Sequence, residues 1–217
     1  MLAKNSLDTQ LEQGLDHLGL ALSAQTRASL LTYLALLARW NVAFNLTAVR
    51  QPEQMVVRHL LDSLAILPWI KGETLADLGS GAGLPGIPLA IAQPSLHISL
   101  LDANGKKVRF LRMVRRELRL TQVEIVPGRI QDQHGQYDCI TTRALGSLDA
   151  MLAWGGHLLA PAGRWLAMQG KAVEIGGLVD IAPFYLHGIH RLHVPSLDAE
   201  RHLVVIKKSA QTGKLTI

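Results

Sequence analysis

Leu75-Ala76-Asp77-Leu78-Gly79-Ser80-Gly81-Ala82-Gly83-Leu84-Pro85-Gly86-Ile87-Pro88-Leu89 decides the fold. A short apolar run ends near an acid, glycines stand at 79, 81 and 83, and Pro85 leads small and apolar residues that can start a helix. The order reads as strand, glycine turn, helix. Glycine lets the chain bend sharply and lets a ligand come close, because no Cβ intervenes. The helix start behind the turn is expected to offer free N–H groups. A bound nucleoside-containing cofactor explains the stretch economically. A purely structural turn is the alternative.

Downstream of this stretch, strands and helices alternate. Strands are expected at 74–78, 97–101, 123–127, 137–141, 163–169, 184–193 and 202–207, with helices at 85–93, 104–119, 147–159 and 171–180. Such alternation implies right-handed crossovers and a mostly parallel sheet. The last two strands have no helix between them; Pro195, Ser196 and Asp198 suggest a loop joining an antiparallel pair. Upstream, Leu7, Leu11, Leu15 and Leu18 recur at helical spacing before Gly19. Ser23 can cap a second helix running to about Trp40, and Pro52 suits the first turn of a third reaching Leu61 or beyond. The organisation is therefore an N-terminal helical layer (1–70), a ligand-binding α/β domain (71–210) and a short tail (211–217).

Composition narrows the class. Twenty-two Lys and Arg against 17 Asp and Glu give a formal charge of +5 and a pI near 9.6, compatible with a nucleic-acid partner. Cys139 is the single cysteine, which leaves no disulfide framework and no cysteine-based zinc site. His187, His190 and His193 alternate faces on a strand and have no acid or thiol beside them, so no metal is expected. No signal peptide is visible and no apolar run approaches the ~18 residues of a spanning helix. A soluble cytoplasmic monomer, away from membranes, is expected.

Two cofactor classes compete for the glycine stretch. Gly81-x-Gly83-x-x-Gly86 matches the dinucleotide pattern and would imply an NAD-dependent oxidoreductase. The frame Asp77-x-Gly79-x-Gly81-x-Gly83 instead suits S-adenosylmethionine, which has no pyrophosphate and needs only a close-approach turn and a ribose acid. Asp102, ending Ser99-Leu100-Leu101-Asp102, can accept bonds from both ribose hydroxyls. It could alternatively cap the following helix, a role Asn104 fills equally well. Asp77 can hold the turn by accepting backbone N–H bonds.

The whole stretch from Asp77 to Leu89 closely resembles the bacterial small-subunit rRNA methyltransferase G family, also called glucose-inhibited division protein B. Trp40-Asn41, Asn45-Leu46-Thr47, Arg58-His59-Leu60-Leu61-Asp62-Ser63, Lys106-Lys107, Gly128-Arg129, Thr142-Arg143-Ala144 and Arg201-His202-Leu203-Val204-Val205 match in order, covering nearly the whole chain. The resemblance implies a Rossmann-like, S-adenosylmethionine-dependent methyltransferase fold with a terminal antiparallel strand. It also implies methyl transfer to N7 of one guanine in a conserved loop of 16S rRNA. Carried over by position, Gly79 and Leu84 contact the cofactor, as do Ile130, Gln131 and Arg143; Gly81, Gly83 and Asp102 complete the set. The family often has an acid where Gln131 stands, although Gln131 can still accept a bond from the adenine amino group.

The chemistry agrees with a guanine N7 target. Displacement at a sulfonium methyl depends mainly on positioning, and N7 carries a lone pair and no proton, so no general base is required. Cys139 lies inside a strand, without the following proline of cysteine-nucleophile cytosine enzymes, and reads as a buried core thiol. Adenine N6 enzymes carry an Asn-Pro-Pro-aromatic motif where this chain has Thr141-Thr142-Arg143-Ala144. Arg58, His59 and Arg143 are the candidates for the reacting end of the pocket. Arg143 could bind the cofactor carboxylate or an RNA phosphate, and Arg58 could simply pair with Asp62 one turn on. Residues 106–119 hold seven basic residues and one acid. On a helix Arg109, Arg112, Arg116 and Arg119 share one side, opposite Phe110, Leu111, Val114 and Leu118. That row is either an RNA phosphate contact or a solvated face. A non-catalytic RNA-binding module on the same fold is the remaining alternative.

Overall fold

The computed structural model describes residues 6–143, 146–170 and 182–209. The helix expected at 171–180 and the tail at 211–217 lie outside these residues.

Three helical segments precede the sheet. Helix α1 (Ser6–His17) and α2 (Ala24–Phe44) pack on one another; Ser23 caps α2 by accepting from Thr26 N–H at 3.1 Å, and Asn45 closes it in the left-handed region. Arg27 ties the pair together by donating to Asp8 at 2.9 Å. Helix α2 runs one turn beyond Trp40, where Trp40 stacks on Phe44 at 5.1 Å. The third segment begins at Pro52 as expected but is not uniform. Helix α3 (Pro52–Met55) widens into π turns over Val56–Leu61 and returns to α geometry in α4 (Asp62–Leu64). π turns inside α-helices are rare and frequent at functional sites.

The sheet then forms in the expected sequence order. Strand β1 (Thr74–Leu78) leads to α5 (Gly86–Ala92), β2 (His97–Asp102), α6 (Gly105–Glu117), β3 (Val123–Pro127), β4 (Tyr137–Arg143), α7 (Leu148–Gly155), β5 (Leu159–Gln169), β6 (Phe184–Arg191) and β7 (His202–Lys208). The spatial order is β3-β2-β1-β4-β5-β7-β6, and β7 runs antiparallel between β5 and β6. The last strand of the chain thus lies inside the sheet. Strands β1 and β2 and the central parts of β4 and β5 are buried on consecutive residues because both sheet faces are covered. On one face Leu100, Leu166 and Val205 join Leu30, Leu37 and Leu60 of the helical layer in a single core; on the other, Leu78, Ile140 and Trp165 pack with Met151 and Leu152 of α7. Cys139 is a fully buried member of the first core.

The order reverses between β1 and β4. In open parallel sheets the crevice for a ligand lies outside the carboxyl ends of the strands at such a point. There the chain places the glycine turn, Asp102 and Arg143.

Candidate active site

The glycine turn is wound by its own backbone. Ser80 O accepts from both Gly83 N–H (2.8 Å) and Leu84 N–H (3.0 Å), and Gly79, Gly81 and Gly83 all have positive φ (69°, 61° and 89°). L side chains rarely adopt that region, so these glycines are required by conformation. Asp77, 1% exposed, accepts Gly86 N–H at 2.9 Å. This corrects one expectation: the first N–H of α5 is not free for a ligand but is taken by Asp77, and Ile87 N–H by Gly83 O at 2.7 Å. Burial raises the Asp77 carboxyl to about 7, with Gly86 N–H and the charge of Arg143 opposing the shift.

In front of the turn is a cavity of about 600 Å³ at the carboxyl ends of β1, β2 and β4. Gly79, Gly81, Leu84, Asp102, Ile130, Gln131 and Arg143 all line it. Gly83 does not: a Cβ there would run into Ile87 and Leu111, so Gly83 serves the packing of turn against helix. The dinucleotide reading fails at this point. Its second glycine must admit a pyrophosphate, yet in that frame Gly83 faces apolar core and the helix N-terminus behind it is closed. Gly81 faces no such crowding: a Cβ there would meet only Gly79 O at 3.8 Å and Lys107 Nζ at 3.9 Å.

Asp102 lines the cavity with its carboxylate held by the backbone. Its Oδ2 accepts Gly81 N–H at 2.9 Å and its Oδ1 accepts Asn104 N–H at 2.7 Å. Each carboxylate oxygen retains acceptor capacity toward the cavity. Asn104, not Asp102, caps α6, accepting from Lys106 N–H and Lys107 N–H. Three contributors escaped the sequence reading of the cofactor set. Lys107 pairs with Asp102 at 3.8 Å, Trp154 of α7 stands half-exposed at the mouth, and Tyr33 reaches the turn from the helical layer. The Tyr33 hydroxyl is fully buried and donates to Ala82 O at 2.8 Å. No local pattern marks a tyrosine 49 residues away from its acceptor.

A second cleft of about 420 Å³ adjoins the first through Arg143. Arg58, His59, Asp62 and Arg201 line it, so the three reacting-end candidates share one wall. Asp62, 1% exposed, is the hub: Arg143 donates to its Oδ2 at 3.1 Å and Arg201 to its Oδ1 at 2.9 Å. Arg143 also donates to Arg58 O at 3.2 Å. The alternative of an Arg58–Asp62 pair is therefore not what forms. The π turns bring Asp62 inward under the sheet while Arg58 stays exposed. His59 is held by Thr47 Oγ1 at 2.9 Å from its Nε2, and Thr47 exchanges two 2.9 Å bonds with Asn41. Burial, then the charge of Arg143, lowers His59 to about 4, so the ring is neutral near pH 7. Thr142 is structural, its hydroxyl accepting from Trp165 Nε1 at 3.0 Å.

The basic row divides on inspection. Arg109, Arg112 and Arg116 are exposed on the outer face of α6, over Phe110, Leu111 and Val114 in the core; Arg119 lies past the helix end at φ 53°. Among the described residues no group of His, Cys, Asp or Glu is arranged to hold a metal ion, and no helix is long and apolar enough to cross a membrane.

The strand order, the glycine turn and the acid ending β2 together define an S-adenosylmethionine-dependent methyltransferase fold, and solved structures agree. TrmN from Thermus thermophilus superposes with a TM-score of 0.54 at 14% identity, over 71% of this chain and 53% of that one. A SAM-dependent methyltransferase from Thiobacillus denitrificans, solved with S-adenosyl-L-homocysteine, gives 0.51 at 10% identity over 69% and 90%. Sequence comparison is more specific. The profile of the GidB family, rRNA small subunit methyltransferase G, matches residues 26–204. The ribosomal RNA small subunit methyltransferase G of Xanthomonas euvesicatoria pv. vesicatoria (strain 85-10) is 50% identical over 202 residues, 91% of this chain and 93% of the relative. That of Hydrogenovibrio crunogenus (strain DSM 25203 / XCL-2) is 45% identical over 94% and 95%. The chain belongs to the rRNA small subunit methyltransferase G family.

Proposed function

We propose that the protein methylates N7 of one guanine in a loop of 16S rRNA, acting as a cytoplasmic monomer on the rRNA or the small ribosomal subunit. One observation carries the reading: a nucleoside-sized cavity and a cation-lined cleft meet at Arg143, at the carboxyl ends of β1 and β4. When bound, S-adenosylmethionine supplies a sulfonium methyl that passes to the N7 lone pair as its carbon–sulfur bond breaks, leaving S-adenosylhomocysteine. Asp102 would accept the ribose hydroxyls, Gly79 and Gly81 would admit the donor against the backbone, and Leu84, Ile130 and Gln131 would enclose the adenine side. Arg143, fixed by Asp62, stands where the two clefts meet and would border the line of transfer. Arg58 and His59 border the acceptor; neutral His59 takes no proton, and none is released by N7. Positioning of this kind can supply several kcal/mol of the barrier reduction without an acid–base pair. Arg109, Arg112, Arg116 and Arg119 add phosphate contacts. In this arrangement residues 71–210 bind the donor and the layer 1–70 completes the acceptor cleft.

The test is direct. Purified protein is incubated with methyl-labelled donor and with 16S rRNA or small subunits, and borohydride–aniline cleavage maps N7-methylguanine. One cleavage in one loop is expected. Label on an adenine or on a cytosine carbon overturns the reading, as does tight NAD binding without any response to S-adenosylhomocysteine.

A further inference from the structure

At the amino ends of the strands, opposite the donor cavity, the surface sinks into a hollow of about 910 Å³, larger than either cleft of the active site. Its floor is the start of β2, β3 and β4 at His97, Val123 and Tyr137; its wall is Arg112, Arg115 and Arg116 of α6. The sequence row did not include Arg115. Helix α6 starts beside Asp102, where Asn104 caps it, and ends at this hollow. Its 13 residues span roughly 20 Å at about 1.5 Å each. Among the described residues Arg112 and Arg115 have no ion-pair partner, and Arg116 only touches its neighbour Glu117 at 3.4 Å, both exposed. Such an exposed pair holds an arginine weakly. The acid of the hollow, Glu124, leaves it net positive. Guanidinium groups present forked donors matched to phosphate oxygens. Only His97 and Tyr137 carry rings in this hollow, against three arginines in its wall, so phosphate contact is what the surface chiefly offers.

We propose that this hollow holds the RNA backbone at a second point, roughly 20 Å from the methyl-transfer site. The substrate is then a structured RNA with a long flanking helix, not an isolated loop. This rests on the rRNA methyltransferase reading above. An A-form RNA helix rises about 2.8 Å per base pair, so roughly seven base pairs would separate the target guanine from the phosphates gripped here. Arg109 lies between and continues the track.

The experiment compares two RNAs carrying the same 16S loop, one closed by about four base pairs and one by about twelve. Wild type and Arg112→Ala/Arg115→Ala are titrated at several salt concentrations. The wild type should bind the long RNA more tightly. The variant should lose about tenfold on the long RNA near 0.1 M salt, and its log–log salt slope should fall by about two. Affinity for S-adenosylhomocysteine should not move, and the loss on the short RNA should be much smaller than on the long one. Arg112→Lys/Arg115→Lys keeps both charges and should keep most of the slope. Parallel salt lines for wild type and Ala variant overturn the proposal and make the row a solvated face. Equal losses on both RNAs overturn it by placing the arginines at the loop. A loss seen only on assembled subunits overturns it in favour of a protein partner. If wild type binds the long RNA with the expected slope but methylates neither, the methyltransferase reading fails while the docking surface stands.

Discussion

The two clefts that meet at Arg143 are built by opposite means. The cavity proposed for the donor is mainly backbone: a turn of left-handed glycines closed on Ser80, steadied by Asp77 and Asp102. The cleft proposed for the acceptor is side chain: Arg143 and Arg201 converge on a buried Asp62, with neutral His59 beside them. The first rests on two neighbouring stretches, within 79–84 and 101–107, and is closed by Leu46, Thr47, residues 128–131, Arg143 and Trp154. The second draws residues 49, 58–62, 143, 168–170 and 201 from five separate segments. A backbone site tolerates no Cβ; a side-chain site tolerates no unpaired charge. The two should therefore fail in different ways.

Gly79→Val carries the largest expected effect. A β-branched residue at φ 69° is strained and points bulk at the donor cavity. S-adenosylhomocysteine affinity by calorimetry should fall by more than about a hundredfold, or some 3 kcal/mol. A folded variant that binds normally would remove the turn from the site. Asp62→Ala should fail in stability first. Removing one partner of a buried ionic group leaves the others uncompensated and typically costs about 3–5 kcal/mol. Urea unfolding should show that loss, and rRNA methylation should disappear with it. If cofactor affinity fell while unfolding stayed put, the two clefts would not be separable.

The same contrast decides what the sequence made legible. Gly79, Gly81, Leu84 and Asp102 could be placed in the cavity because their spacing is local: a strand, a turn and the next strand end. The parallel sheet was equally legible, since continuous apolar runs alternating with helices leave few topologies. Helical spacing leaves open a pair between Asp62 and Arg58 and cannot show the partners that Asp62 takes. The π turns rotate that register and give the carboxylate to Arg143 and to Arg201, 81 and 139 residues away. Gly83 looked like its neighbours at 79 and 81 because identity alone cannot say which face of a turn meets ligand and which meets Ile87. The arginine row was read from helical angles. It therefore missed both the helix end before Arg119 and the hollow that includes Arg115.

Tyr33→Phe sharpens the comparison at the one place where the helical layer supports the donor turn. Phe keeps the buried ring but leaves Ala82 O without its donor, and a buried unpaired group costs about 1–3 kcal/mol. Affinity for S-adenosylhomocysteine should drop several-fold, with the RNA KM unchanged. If only stability changed, the helical layer would be packing against the turn without shaping it.

The smallest net effect concerns protons, because the two clefts oppose one another. Asp77 under the donor turn is raised from 3.8 to about 7, chiefly by burial. Between those values the folded protein holds a proton that the unfolded chain has lost. Its contribution to stability is fully present below about pH 4 and is lost as pH rises to 7. His59 in the acceptor cleft is lowered from 6.5 to about 4, again chiefly by burial. There the unfolded chain holds the proton, so its contribution is fully present above about pH 6.5 and is lost as pH falls to 4. Each amounts to about 1.4 kcal/mol per pH unit at most, with opposite sign, over nearly the same window. The wild type should show little dependence from this pair. Asp77→Asn keeps an acceptor for Gly86 N–H and leaves His59 unopposed, so its stability relative to wild type should climb from pH 4.5 to 6.5. His59→Gln keeps a bond to Thr47 and leaves Asp77 unopposed, so its relative stability should decline over the same range. Urea unfolding of the three proteins at pH 4.5, 5.5 and 6.5 measures both slopes, and titrations common to all three cancel in the differences. Lines parallel to wild type for both variants would mean that neither group is held in the unusual protonation state that its burial dictates.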